Sequence, residues 1–120
     1  MALAKLLLAL TCTASNAVAF SGDMTYYDPE GAPGACGGRH LGSDKVVSVP
    51  LSHYGNYPNP NNCPSCGKTM RIHRNGKTTT AKVVDKCKGC AGDRIDVTKA
   101  VFSDLADLNL GRVQVTWEWA

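Results

Sequence analysis

The sequence lacks the features that mark several common classes of protein. Its net charge is +3 at pH 7, which is too weak and too dispersed to indicate a nucleic-acid-binding surface. No basic run is long enough to anchor the chain at a membrane, and no Asn-x-Ser/Thr sequon predicts N-glycosylation. Aromatic residues make up only 7% of the chain, so few rings are available to stack on a ligand. There is no internal repeat, and the length of 120 residues fits one small domain.

The first residues have the pattern of a targeting segment. A positively charged start is followed by an apolar stretch and by the small-residue cleavage pattern Ala17–Ala19. Because the apolar stretch is well short of the roughly 20 residues that span a bilayer, we predict a secretory signal over 1–19 and one extracellular domain over 20–120. The alternative is a lipoprotein with Cys12 lipidated, which is disfavoured because Thr11 is larger than the residue usual there.

Cysteine spacing leaves two interpretations open. Five cysteines remain after removal of the signal, and export predicts that they are oxidised to two disulfides and one leftover thiol, in pairings that the sequence does not choose. Two Cys-x2-Cys pairs separated by 20 residues also fit a four-thiolate zinc template, although export favours disulfides. We predict no metal and no cofactor. The five are Cys36, Cys63, Cys66, Cys87 and Cys90.

One stretch, Val83 to Phe102, carries the main candidates for chemistry. Asp85 follows an apolar β-branched run, and Asp96 lies between two apolar residues of a second short strand, Ile95 to Val97. A cysteine-containing loop joins them, so both carboxylates are expected to face one groove, an arrangement that suits acid chemistry or sugar-hydroxyl binding. The structural alternatives are a helix-start charge for Asp96 and a loop cap for Asp85.

The pattern along the chain predicts a small β-barrel or sandwich. Asn75-Gly76 is the preferred dipeptide of a type I′ hairpin, and Thr98 is expected to cap a helix that continues through Leu108 and stops at Gly111. Six strands are predicted, at Phe20–Tyr27, Val46–Leu51, Lys68–Arg74, Lys77–Val84, Ile95–Val97 and Arg112–Trp119.

Several rings and histidines have more than one interpretation. Tyr54 and Tyr57 lie in a long polar loop, where they form either a local hydrophobic cluster or a platform for sugar rings. Trp117 and Trp119 share the apolar face of the last strand and are predicted to be core. The three histidines have no ligand-spaced partner and are interpreted as surface or loop residues. They are His40, His53 and His73.

Five ordered blocks, which span nearly all of the predicted mature chain, give the sequence a specific resemblance. The blocks are Gly22-x2-Thr25-Tyr26-Tyr27, Ala35-Cys36-Gly37, Cys66-Gly67-Lys68, Val84-Asp85-x-Cys87-x2-Cys90 and Asp96-Val97-Thr98-x2-Val101-Phe102. With them the sequence resembles the secreted rare-lipoprotein-A-like and expansin-like proteins, especially short fungal-type, loosenin-like and barwin-like members. That resemblance implies a mainly β fold, a six-stranded double-psi β-barrel with one or two short helices, and a polysaccharide groove across it.

The resemblance also implies roles for single residues. Family members have an aspartate in a His-Phe-Asp motif, which here reads Arg94-Ile95-Asp96, so the acid is kept and the histidine is replaced. A second family aspartate matches Asp85, Thr25 and Tyr27 match the opposite polar wall, and Asp28 lies one position away from the base of hydrolytic relatives. The implied disulfides are Cys36 with Cys66 and Cys87 with Cys90, which leaves Cys63 unassigned.

Three functions follow as hypotheses. The first is a protein that binds cell-wall polysaccharide and loosens it without hydrolysis. The second is a glycan-cleaving enzyme, of the lytic transglycosylase or endoglucanase type, that uses Asp96 as acid and Asp85 in support. The replaced histidine and the lack of a clear base count against an enzyme. The third is a protein-binding module, such as a protease inhibitor or a secreted effector. None of the three involves nucleic acid or a membrane.

Overall fold

Six strands close into a barrel in the computed structural model, which describes residues 18–54 and 65–120. The predicted mainly β barrel is therefore confirmed. Among the described residues, no helix is long and apolar enough to cross a membrane. The strands are β1 (Phe20–Tyr27), β2 (Val46–Pro50), β3 (Thr69–Arg74), β4 (Lys77–Cys87), β5 (Ile95–Thr98) and β6 (Arg112–Trp119); the helices are α1 (Leu51–Tyr54), α2 (Lys99–Leu105) and a 3-10 turn (Leu108–Leu110).

The order of strands around the barrel differs from their order in the chain. It runs β1-β5-β2-β4-β3-β6, and β6 pairs with β1 to close the sheet. Two pairs, β1 with β5 and β2 with β4, are parallel, whereas the other four pairs are antiparallel. This interleaving of two parallel pairs brings β1, β5, β2 and β4 side by side, and the candidate site lies on these four strands.

The β3–β4 hairpin forms where the sequence predicts it. Arg74 pairs with Lys77 across the turn, and Asn75 and Gly76 have φ angles of 51° and 79°, as a type I′ turn requires. Strand β4, the second strand of this hairpin, is longer than predicted because its pairing with β2 continues to Cys87. Asp85 therefore lies inside β4 rather than after its end.

The helical region is shorter than predicted. The side chain of Thr98 does not cap α2; its hydroxyl donates to the carbonyl oxygen of Asp44. The helix ends at Leu105 because the chain becomes extended at Ala106, with φ −158°. Leu108 accordingly belongs to the separate 3-10 turn. Thr98 thus ties the start of α2 to the loop before β2 rather than satisfying the first helical amides.

An aromatic cluster of Phe20, His53, Trp117 and Trp119 packs on one side of the barrel. Trp117 is fully buried, as predicted, whereas Trp119 is only half-buried. The ring of His53 lies 4.6 Å from Phe20 and 4.8 Å from Trp117, with its Nε2 2.8 Å from Oδ1 of Asp93. The interpretation of His53 as a surface or loop residue is therefore wrong, because its side chain in α1 is only 15% exposed.

Two disulfides join the described cysteines, in the pairs that the resemblance implies. Cys36 is bonded to Cys66, and Cys87 is bonded to Cys90. All three described cysteines of the proposed zinc template are thus in disulfides, so their sulfurs are not thiolate ligands and the zinc interpretation is not supported. Cys63 lies outside the described residues.

We expect the two disulfides to contribute unequally to stability. The Cys36–Cys66 bridge closes a separation of 30 residues and the Cys87–Cys90 bridge one of 3. Because a cross-link restricts the unfolded chain more when it closes a longer loop, replacing both cysteines by serine should cost about 3–4 kcal/mol for the first pair and about 2 kcal/mol for the second. Urea unfolding of the two double variants measures the difference, and equal losses would contradict the prediction.

Candidate functional site

Four side chains form a row across neighbouring strands, which we call the acidic row. Thr25 of β1 pairs with Asp96 of β5, and Ser48 of β2 pairs with both Asp96 and Asp85 of β4. Paired residues direct their side chains to the same face of a sheet, and because strands are about 4.8 Å apart, the Cα atoms of Asp85 and Asp96 are about 10 Å apart. The structure therefore brings the two predicted carboxylates to one surface.

The acidic row lies on the outer face of the barrel sheet, with Ser48 covered between its neighbours. Its neighbours in sequence, Ile95 and Val97 on β5 and Val47 and Val49 on β2, are fully buried in the core. Since successive strand residues point to opposite faces, Asp96 and Ser48 are directed away from that core. Asp96 is half-buried rather than sealed in the core.

A β-bulge in β4 brings Asp85 into this row. Val47 and Ser48 are adjacent in β2, yet their partners in β4 are Val83 and Asp85, which leaves Val84 as an extra residue. Bulges change the direction of the side chains that follow them and are common beside functional sites. In a regular register Val84 would stand opposite Ser48, and Asp85 would stand opposite Val49.

Asp96 is positioned by its neighbour in the row. The hydroxyl of Thr25 donates to Oδ1 of Asp96 at 2.9 Å, and no hydrogen bond from the described residues reaches Oδ2. Burial raises the pKa of Asp96 above its usual value, while the Thr25 hydrogen bond and the positive charge of Arg94 act in the opposite direction. One oxygen is therefore fixed by the protein, and the other can accept a hydrogen bond from a ligand hydroxyl.

Asp85 has a structural contact as well as a place in the row. Its Oδ1 accepts hydrogen bonds from the backbone amides of Ala35 and Lys86, both at 2.8 Å. The loop-cap interpretation of Asp85 thus describes Oδ1, because the bond to Ala35 holds the glycine-rich loop after β1 against β4. Oδ2 receives no hydrogen bond from the described residues, and the strand pairing places the Asp85 side chain on the same face of the sheet as Asp96.

Tyr27 links the two carboxylates electrostatically. Burial raises the pKa of the Tyr27 phenol, the nearby Ser48 hydroxyl lowers it, and the negative charges of Asp85 and Asp96 raise it further. Both carboxylates therefore lie close enough to act on the same ring. With a raised pKa, the phenol stays protonated at neutral pH and can donate a hydrogen bond to a ligand oxygen.

A pocket of about 220 Å³ continues the surface beyond Asp85. Asp28, at the position near the family's catalytic base, lines this pocket together with Asp85 and Tyr27, but Oδ1 of Asp28 accepts from the amide of Glu30 at 3.1 Å. That contact is a turn-forming one. The remaining lining residues are Pro29, Ala32, Pro33, Gly34, His40 and Val84.

The tyrosines of the long loop do not extend this site. Tyr54 is 2% exposed and its hydroxyl donates to the carbonyl oxygen of Ala35 at 3.2 Å. Its ring is consequently not available to stack on a sugar, so the platform interpretation is wrong for Tyr54 and the local-cluster interpretation describes it. Tyr57 lies outside the described residues.

Two residues of the site carry no clear signal in the sequence. Ser48 is one polar residue in an apolar strand, and its place between two carboxylates depends on strand pairings that are distant in sequence. Arg94 is noticeable only as the replacement of a family histidine. Its guanidinium donates from Nη2 to the Thr25 hydroxyl oxygen at 3.2 Å, a contact that spans 69 residues of chain and that no local pattern predicts.

Comparison with known proteins identifies the family. No protein-family model matches the sequence. The chain is 39% identical to a papain inhibitor of Streptomyces mobaraensis over 102 residues, which cover 82% of this chain and 70% of the inhibitor. It is also 39% identical to Allergen Asp f 7 of Aspergillus fumigatus over 101 residues, which cover 80% of this chain. It spans only 35% of that allergen's length.

Solved structures agree with these similarities. The Streptomyces papain inhibitor superimposes with a TM-score of 0.79 at 38% identity, covering 86% of this chain and 94% of the inhibitor. The expansin of Clavibacter michiganensis, solved in complex with cellohexaose, superimposes with a TM-score of 0.74 at 19% identity and covers 86% of this chain and 50% of the expansin. This second match shows the fold alone. The closed six-stranded barrel and the match to the papain inhibitor together show that the chain belongs to the expansin-like family of double-psi β-barrel proteins.

Proposed function

We propose that this protein is a secreted, expansin-like protein that binds cell-wall polysaccharide along the acidic row and loosens it without hydrolysis. The observation that carries the proposal is the presence of Asp96 and Asp85 on one outward surface, with Tyr27 close to both. In this proposal residues 1–19 are the signal and 20–120 the exported domain. Disulfides at four of the cysteines fit an oxidising compartment.

The chemistry of the row suits a ligand with many hydroxyl groups. Oδ2 of Asp96 and Oδ2 of Asp85 are charged acceptors, and hydrogen bonds to charged groups are about twice as strong as those between neutral groups. Tyr27 adds a donor beside them. Since the Cα atoms of the two aspartates are about 10 Å apart, adjacent sugar rings of one chain could contact both carboxylates.

The same contacts argue for binding rather than for cleavage. A glycosidase needs a protonated carboxyl group beside the leaving oxygen and, for inversion, a second carboxylate that activates water. The Thr25 hydrogen bond and the charge of Arg94 favour the ionised form of Asp96, and Oδ1 of Asp85 is occupied by two backbone amides. Burial outweighs these two contacts, and the pKa of Asp96 is raised overall. The case against cleavage therefore rests mainly on Asp85, whose Oδ1 is held by two backbone amides and is not free to activate water.

Protein binding is the second candidate, because a specific similarity favours it. The Streptomyces mobaraensis relative, at 39% identity, is named a papain inhibitor, and the Streptomyces papain inhibitor structure superimposes on 86% of this chain. Inhibition of a cysteine protease would need a surface complementary to the protease rather than a polysaccharide groove. The two functions can be distinguished by one set of assays on the same preparation.

The proposed function is tested by incubating the purified protein with cellulose, chitin and peptidoglycan. Bound protein and released sugars are measured in the same samples, and papain activity is measured in parallel. We expect retention on at least one polysaccharide, no sugar release and no inhibition of papain. Sugar release would favour the glycan-cleaving enzyme, and inhibition of papain without retention would favour the protein-binding candidate. Neither retention nor release on any of the three would contradict the proposal.

A further inference from the structure

Arg94, Thr25 and Asp96 form a directed chain of hydrogen bonds beside the proposed groove. Nη2 of Arg94 donates to Oγ1 of Thr25 at 3.2 Å, and Oγ1 of Thr25 donates to Oδ1 of Asp96 at 2.9 Å. A guanidinium group can only donate, so the Thr25 oxygen must accept from Arg94. Its single proton is then directed to Asp96, where it needs an acceptor oxygen without a proton.

The backbone at Arg94 is held from several sides. Gly22 of β1 has no room for a side chain, because a Cβ atom there would lie 2.6 Å from the carbonyl of Asp93 and 2.9 Å from the amide nitrogen of Arg94. Nε1 of Trp117 donates to the carbonyl oxygen of Asp93 at 2.9 Å, and His53 holds the Asp93 side chain. Arg94 therefore enters the site from a fixed position.

The guanidinium of Arg94 is not placed where it best serves stability. Its Nε is buried and has no hydrogen-bond partner among the described residues, and its Nη1 makes only a long contact of 3.5 Å with the carbonyl oxygen of Gly89. A buried donor without a partner is unfavourable for the folded state. The shorter contact of this group is the one directed at Thr25, which points to a role in the site.

We propose that Arg94 is a positioning residue that acts through Thr25 and keeps Asp96 in the groove as an ionised acceptor rather than as an acid. This inference rests on the proposed function, because it concerns the binding state of the residue proposed to contact the glycan. In the family motif this position is a histidine. Here it is Arg94, whose guanidinium carries a permanent positive charge and can only donate hydrogen bonds, and the proposal gives this replacement a physical effect.

The charged and titratable groups around Asp96 determine the sign of the expected effect. Arg94 precedes it on the same strand, Tyr27 lies on β1, and Asp85 lies two strands away on β4. Arg94 is the cation that lowers the pKa of Asp96. Removing it should therefore raise this pKa further above its usual value, so that the carboxylate is lost at a higher pH as the solution is acidified.

The test uses Arg94→Met and Thr25→Val in the full chain, and Arg74→Met as a matched control. Arg74 is also half-buried and donates to a backbone carbonyl, that of Leu105 at 3.0 Å, away from the groove. The pKa of Asp96 is read from its carboxyl carbon shift in an NMR titration, and cellohexaose affinity is measured across the same pH range.

Both site variants should raise the pKa of Asp96, while Arg74→Met should leave it unchanged. The pH midpoint of cellohexaose binding should move upward in parallel, so that affinity falls in the pH interval between the two midpoints, where the wild-type carboxylate is ionised and that of the variant is protonated. An unchanged pKa in Thr25→Val or in folded Arg94→Met would overturn the proposal. Should Arg94→Met not fold, Arg94→Gln gives the result, because glutamine keeps a polar side chain that can donate to Thr25 but carries no charge; an unchanged pKa of Asp96 in that variant overturns the proposal equally.

The NMR measurement needs no ligand, so the two proposals can fail separately. If the wild-type protein binds no cellohexaose but the pKa of Asp96 rises in the variants, the effect of Arg94 stands and cellohexaose binding fails. If cellohexaose binds and the pKa does not move, the proposed function stands and Arg94 has no positioning role.

Discussion

Replacing Asp96 by asparagine should abolish most polysaccharide binding and leave the fold intact. Asparagine has the shape of aspartate, and its side-chain oxygen can still accept the hydrogen bond from Thr25. What it loses is the charge on the acceptor facing the ligand, and each hydrogen bond to a charged group is worth about 1.5–3 kcal/mol. We therefore expect at least about a tenfold loss of affinity. Because burial disfavours the charged form of Asp96, the neutral variant should not be destabilised.

Asp104 offers a matched control for this variant. Its carboxylate also accepts from a threonine, since Oγ1 of Thr79 donates to its Oδ2 at 2.6 Å, but it is paired with Lys45 and lies away from the acidic row. Asp104→Asn should retain polysaccharide binding. Retention on cellulose, chitin and peptidoglycan, together with thermal unfolding, compares the two variants. Full binding by a folded Asp96→Asn protein would contradict the proposed role of Asp96 in polysaccharide binding.

The largest effect on stability is expected for Trp117→Ala. Trp117 is fully buried, its ring contacts Phe20 and His53 in the aromatic cluster, and its indole nitrogen donates to the carbonyl oxygen of Asp93. Truncating a buried tryptophan typically costs about 3–5 kcal/mol. In a domain of this size such a loss lowers the melting temperature by about 15–30 °C. The variant should therefore be only marginally folded at room temperature.

Trp119→Ala is the natural comparison, because it removes the same side chain from the same face of β6. Trp119 is half-buried, so its loss should cost clearly less. Unfolding in urea is monitored by circular dichroism, because tryptophan fluorescence would itself change when a tryptophan is removed. If both variants unfold at the same urea concentration, the deep burial of Trp117 is not what stabilises this side of the barrel.

Local patterns in the sequence predicted local structure well. The bounds of β1 and β6 match the prediction, and the Asn75-Gly76 turn forms the expected hairpin. The incorrect predictions concern elements whose bounds or hydrogen bonds depend on residues far away in the sequence. Thr98 donates to Asp44 instead of capping its own helix, and β4 extends to Cys87 because β2, some forty residues earlier in the chain, supplies its partner.

In the candidate site, too, some residues could be predicted from local sequence patterns and others could not. Asp85 and Asp96 are identifiable because the first follows an apolar β-branched run and the second interrupts one, and the structure brings them to one face of the sheet. Ser48 was not identifiable, since its position depends on two strand pairings and on the bulge at Val84. The sequence leaves both interpretations of Tyr54 open, because a loop sequence does not show which rings turn inward; the structure buries this ring.

The strand order has a consequence for how the chain folds. The first strand, β1, has both of its partners, β5 and β6, in the last third of the chain. During synthesis it must wait until nearly the whole domain has emerged, while the β3–β4 hairpin can form at once. Folding that depends on contacts so remote in sequence is slow, and an unpaired β1 is exposed to association with other chains in the meantime. Oxidation of Cys36 with Cys66 before the barrel closes would hold the segment after β1 close to the hairpin and so restrict the unpaired strand during this interval.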